Sequence, residues 1–157
     1  MTDRVQVVKD VERSRLTLTT VLDATPERAW RLWSTADGLA RWWGPPGQAM
    51  TVTRHELAPG GDIEFFVTSP AGERRDGRFD VHVVEPPRRL DLTFHAIGFG
   101  SMAVGVVLTA VEPGRTQMAI VISFATADLL ARALEIGFDA GVRRSVARAS
   151  GALAEMG

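Results

Sequence analysis

The feature that most constrains this chain is a long run of alternating apolar residues, cut repeatedly by tight turns, that ends in a helical period. Ile63, Phe65 and Val67 alternate with polar neighbours, as do Phe79, Val81 and Val83, and then Leu90, Leu92 and Phe94. Met102, Val104, Val106 and Leu108 continue the pattern, and Met118, Ile120, Ile122 and Phe124 close it. A period of two marks strands with one buried face. Residues 49–57 form a further strand ahead of these. The links are short and rich in turn formers: Pro59-Gly60-Gly61-Asp62, Ser69-Pro70-Ala71-Gly72, Glu85-Pro86-Pro87-Arg88, Ile97-Gly98-Phe99-Gly100 and Glu112-Pro113-Gly114-Arg115. Parallel strands need long crossovers, so links of this length predict a six-stranded antiparallel meander.

After Phe124 the period changes. Leu130, Leu134, Phe138, Val142, Ser145, Ala149 and Leu153 recur at steps of three and four, one stripe of a long helix over about 127–154. Such a helix would span about 42 Å. Gly137 and Gly141 each cost about 1 kcal/mol against alanine inside it and mark a close backbone approach or a bend.

Ahead of the meander, Leu16, Leu18 and Leu22 alternate in a strand over 15–22. Thr25 is placed to cap a helix that starts at Pro26 and carries Ala29, Trp30, Leu32 and Trp33. A second short helix, capped by Ser34 or Asp37, holds Leu39, Trp42 and Trp43 and stops at Gly44-Pro45-Pro46-Gly47. Residues 1–13 read as an N-terminal arm or an extra edge strand, and 14–157 as a single domain. The order is strand, two helices, six strands, one long helix: an α+β fold with its helices segregated from a curved antiparallel sheet.

Composition removes several functions. The chain has 157 residues, 45% hydrophobic and 24% charged, enough apolar content for a core. It has 18 basic and 19 acidic residues and a net charge of -1, so it lacks the basic excess that nucleic-acid binding needs. It has no cysteine, which excludes disulfides and thiolate chemistry. No stretch has the length of a membrane span, and the charged N-terminus does not read as a secretory signal, so a cytoplasmic location is expected.

Trp30, Trp33, Trp42 and Trp43 fall within 14 positions. They read either as packing of two helices on the sheet or as an aromatic wall for a flat apolar ligand, with Trp43 the strongest cavity candidate. Phe65, Phe79, Phe94, Met102 and Met118 occupy in-phase strand positions that either fill a core or line a pocket. Arg54 and Glu56 share the phase of Met50 and Val52. They either point into the interior as a polar pair or form an exposed salt bridge. His55, His82 and His95 show no metal-ligand spacing, and no metal or cofactor is expected. His82 and His95 take the polar phase of their strands and are expected to face outward.

Four stretches carry a family resemblance. They are Asp23-Ala24-Thr25-Pro26-Glu27-Arg28-Ala29-Trp30, Leu39-Ala40-Arg41-Trp42-Trp43-Gly44-Pro45, Leu57-Ala58-Pro59-Gly60-Gly61-Asp62-Ile63 and Val84-Glu85-Pro86-Pro87-Arg88-Arg89-Leu90. Together they resemble the activator-of-heat-shock-protein-90-ATPase homologue family, within the START-like helix-grip superfamily, over about residues 14–154. The family often has Gly-Trp where this chain has Gly137-Phe138, which keeps the aromatic ring and loses the indole N–H. The resemblance implies a sheet wrapped around the last helix with a cavity between them.

The expected function is therefore non-catalytic binding of a small hydrophobic or amphipathic molecule in that cavity. The candidate contacts are Trp33, Trp43, Arg54, Glu56, Phe65, Phe79, Phe94, Met102, Met118 and Phe138. Two alternatives remain open at this point. One is a chaperone-activating interaction domain. The other is a cyclase- or hydratase-like enzyme using Arg54 and Glu56. The edge strands and the apolar 97–100 loop would permit a homodimer.

Overall fold

A computed structural model describes residues 5–44, 49–96 and 100–156. Parts of the 44–47 helix stop and of the 97–100 loop lie outside these. Eight strands form one sheet, and every neighbouring pair is antiparallel. In chain order they are β1 (Gln6–Asp10), β2 (Arg15–Leu22), β3 (Ala49–His55), β4 (Asp62–Thr68), β5 (Arg74–Glu85), β6 (Arg89–Ala96), β7 (Gly100–Glu112) and β8 (Arg115–Ser123). The spatial order is β1-β2-β8-β7-β6-β5-β4-β3, so the expected meander runs unbroken from β3 to β8, and β2 then pairs with β8. The α+β class and the helix-grip order are as the sequence implied.

The helices are more divided than the periodicity indicated. The first is two single turns, α1 (Pro26–Ala29) and α2 (Arg31–Ser34), joined at Trp30. Thr25 caps α1 by accepting the Arg28 N–H at 3.3 Å, as expected. The cap of α3 (Ala36–Trp42) is Thr35, not Ser34 or Asp37: its hydroxyl oxygen accepts the Gly38 N–H at 2.9 Å. Thr35 wins because it alone has extended backbone immediately before the first helical turn.

The expected C-terminal helix is also two helices, α4 (Ala127–Glu135) and α5 (Phe138–Met156). Gly137 lies between them at φ +78°, a left-handed conformation that ends α4 at little cost only because the residue has no Cβ. Of the two readings of this glycine, the bend is the one realised: a Cβ here would meet nothing within 4 Å. The helix that crosses the sheet is α5, with 19 residues and a length of about 28 Å.

The core lies on the sheet face that meets the helices. Leu16, Leu18 and Leu22 on β2, Val104 and Val106 on β7, and Ile120 and Ile122 on β8 are buried there beneath Val142, Val146, Ala149 and Leu153 of α5. Strand alternation holds except at bulges, and two of these matter. One falls between Val81 and Val83, after which Val84, not Val83, packs against the core. The other, between Val52 and Arg54, re-aims the end of β3.

Candidate functional site

Between the N-terminal half of α5 and the inner face of β4, β5 and β6 lies a cavity of about 330 Å³. Its floor comes from alternate strand positions: Phe65 and Val67 on β4, Gly77 on β5 and Phe94 on β6. Gly141, Val142 and Ser145 of α5 form the roof, Trp43 and Gly44 close one end, and Ile136 and Phe138 stand at another edge. Ile136 is 70% exposed, an apolar lining side chain left in water.

An aromatic cluster builds the inner wall. Trp43, the residue that ends α3, sits with its ring 5.3 Å from Phe79 and 5.6 Å from Phe94, both edge-to-face. Phe65 and Phe94 stack nearly parallel at 6.2 Å. Behind them, Trp33 meets Trp42 at 4.9 Å and Trp43 at 5.9 Å. Such ring pairs each contribute about 0.5–1.5 kcal/mol beyond their buried area, which fixes the wall as a unit.

The sequence-derived candidates therefore separate. Trp43, Phe65, Phe94 and Phe138 line the cavity. Trp33 and Phe79 are fully buried in the row behind it. Met102 and Met118 are also buried, on β7 and β8, as part of the general core. Arg54 and Glu56 do not line the cavity. The extra residue at the β3 bulge flips the alternation, so Arg54 turns outward and His55 turns inward. Arg54 bonds Asp62 and reaches Glu56 at 2.7 Å in an exposed pair, and these partners, Asp62 foremost, raise its pKa. His55 Nε2 donates to the Trp33 carbonyl at 2.9 Å, tying β3 to the tryptophan wall.

Sequence reasoning missed the polar side of the site. Ser145 is buried, yet its hydroxyl donates to the Gly44 carbonyl at 2.6 Å. Arg148, one turn on, donates to the same carbonyl and to that of Trp42 at 2.9 Å, and burial lowers its pKa. These two residues pin α5 to the end of α3 and hold the closed end of the cavity. At the open side Arg75 and Asp76 border the cavity, and both are exposed. Arg75 had a signal: it shares the strand phase of Gly77 and Phe79. Ser145 had a weaker one, a polar residue on an otherwise apolar helical stripe.

On the opposite face of the sheet, His95 Nε2 lies 2.7 Å from Asp80 and its Nδ1 lies 2.7 Å from Ser101 Oγ. Phe94 and Phe79, which alternate with His95 and Asp80, face the interior, so this hydrogen-bonded row has no part in the cavity. Both His82 and His95 are on the outward phase; His82 is exposed and bonds Thr93 at 2.7 Å. Among the described residues no cluster of three or more His, Cys, Asp or Glu side chains is placed to hold a metal ion, and no helix is long and apolar enough to cross a membrane.

A curved antiparallel sheet closed over an amphipathic C-terminal helix, with an aromatic cavity between them, defines the helix-grip class. The comparisons with known proteins agree. The solution structure of a protein from Arthrobacter aurescens matches with 28% identity over 98% of this chain and 93% of that one, with a TM-score of 0.92. Crystal structures of proteins from Mycobacterium smegmatis (27% identity, 98% and 99% coverage, TM-score 0.84) and Rhodobacter sphaeroides (25%, 97% and 99%, TM-score 0.86) match similarly. Among curated proteins none matches. The family described as "Activator of Hsp90 ATPase homolog 1-like protein" matches residues 23–148, and the chain belongs to that family.

Proposed function

We propose that this protein binds a small, largely apolar molecule in the cavity between α5 and β4–β6. The observation that carries the reading is a space of about 330 Å³ walled by Trp43, Phe65, Val67, Phe94, Phe138 and Val142 and left unfilled by the described side chains. Ligand sites are characteristically apolar concavities with a few polar groups, in volumes from about 300 Å³ upward. An apolar space is a poor home for water, which needs several polar partners, and a good one for a hydrocarbon or aromatic guest. The enzyme alternative rested on Arg54 and Glu56 inside the cavity. With both on the surface, it loses the groups assigned to it.

Trp43 in the wall makes the reading measurable. Titration with the neutral probe N-phenyl-1-naphthylamine is expected to raise probe emission saturably and to quench protein tryptophan emission. Val142→Trp, which fills the roof of the cavity, is expected to abolish both signals while the far-ultraviolet circular dichroism stays unchanged. A linear, non-saturating response from the wild-type protein would overturn the proposal.

A further inference from the structure

The cavity has one polar wall, and its charge is unbalanced. Arg75 stands directly opposite Val67 in the β4–β5 ladder, two residues from Gly77, and both neighbours line the cavity. Strand alternation puts Arg75 on the same face as Phe79, so its side chain leaves the sheet on the cavity side. Arg75 makes no ion pair or side-chain hydrogen bond with any described residue. Its neighbour Asp76 does not neutralise it. That carboxylate accepts from Arg74 at 2.9 Å, and the Arg74 guanidinium lies 4.0 Å over the ring of Phe66. At the closed end, Arg148 is engaged with backbone carbonyls and Ser145 and with no carboxylate among the described residues. The cavity thus has an aromatic interior and, at its rim, a guanidinium with no side-chain partner among the described residues, while the bordering carboxylate, Asp76, is paired with Arg74.

We infer that the molecule held here is an amphipathic carboxylic acid, its aromatic or aliphatic body against Trp43, Phe65 and Phe94 and its carboxylate on Arg75. This rests on the binding function proposed above and adds the chemical class. A guanidinium presents a planar fork of N–H donors that matches a carboxylate in a bidentate pair. A carboxylate at the rim keeps part of its hydration, so the pair forms without the full cost of burying two charges. The apolar body supplies the rest of the affinity, which an exposed ion pair alone cannot.

Calorimetric titration of two ligands with one apolar body separates the claims: 1-naphthaleneacetate and the uncharged 2-(1-naphthyl)ethanol. The wild-type protein at low salt is expected to bind the acid about tenfold more tightly than the alcohol, the value of one charge-assisted hydrogen-bonded contact. Arg75→Gln is expected to lower the acid affinity about tenfold and so remove that preference, and saturable binding of the alcohol shows that the variant is folded. Arg88→Gln deletes another exposed arginine, in the turn that follows the far end of β5, and is expected to keep the preference. Raising the salt is expected to narrow it. Equal binding of acid and alcohol by the wild type, or a preference that survives Arg75→Gln, would overturn the carboxylate assignment and leave the apolar-ligand reading standing. Binding of neither ligand would overturn both.

Discussion

Gly77 and Phe65 stand opposite each other in the β4–β5 ladder, and the Phe65 ring lies across the bare backbone of Gly77. A Cβ at position 77 would come within 2.5 Å of the ring's Cζ and 2.8 Å of Cε2, distances that real Cβ atoms do not tolerate. The missing side chain is what lets this ring lie flat and form the cavity floor.

Gly77→Ala is therefore expected to push the ring toward the cavity. Overpacking of this kind costs about 1–3 kcal/mol, readable in urea denaturation, and probe affinity should fall with it. Unchanged stability together with unchanged probe binding would show that the ring does not depend on Gly77.

Trp42 and Trp33 are both fully buried, and they differ in one atom's fate. The Trp42 indole N–H donates to the Leu32 carbonyl at 2.9 Å, whereas the Trp33 indole N–H has no hydrogen-bond partner among the described residues. Replacement by phenylalanine removes similar area at each site. At Trp42 it also strands a buried carbonyl. Trp42→Phe is expected to destabilise by about 1 kcal/mol more than Trp33→Phe in parallel denaturant unfolding. The opposite ranking would refute this assignment.

Ser145 and Arg148 converge on one carbonyl, that of Gly44. Ser145→Ala is expected to cost about 1 kcal/mol. Arg148→Met should cost more, since it frees the Trp42 carbonyl as well. Because they share an acceptor, the double variant should depart from additivity by at least about 0.5 kcal/mol. Simple additivity would mean that the two contacts act separately.

Asp80 contributes to stability on the acid side. Its carboxyl is held below the ordinary carboxylate value chiefly by the hydrogen bond with His95; partial burial opposes the shift and the Arg78 charge adds to it. A carboxyl with a depressed folded-state pKa stabilises the fold fully above its unfolded value, about 3.9, and this contribution is lost as the pH falls through the lower folded value. Asp80→Asn should therefore be less stable than wild type at pH 5, with the gap closing as the pH is lowered toward 2. A gap independent of pH over that interval would remove the carboxylate from the explanation.

Strand existence, antiparallel pairing and the long amphipathic C-terminal stretch were all legible from local pattern. Each depends on side-chain period and turn chemistry within a few residues. The inward phase of Phe65, Phe94 and Phe138 was legible for the same reason, although the choice between filled core and cavity wall was not. The break at Gly137 was legible as a weak point, although its geometry was not. The bulge in β3 left no mark in the pattern, because Thr-Arg-His-Glu alternates equally well in either phase. That one residue moved Arg54 and Glu56 out of the site and turned His55 in.

The chain's local chemistry determined the order of elements, which face of each strand is apolar, and that an aromatic set would gather where the short helices meet the sheet. Only the assembled fold decided which of those apolar faces closed on each other and which stayed apart. Packing depends on shapes brought together from distant parts of the chain, such as Phe65 over Gly77 and Ser145 against Gly44. No periodicity records the gap that remains between them, nor the arginine on its rim.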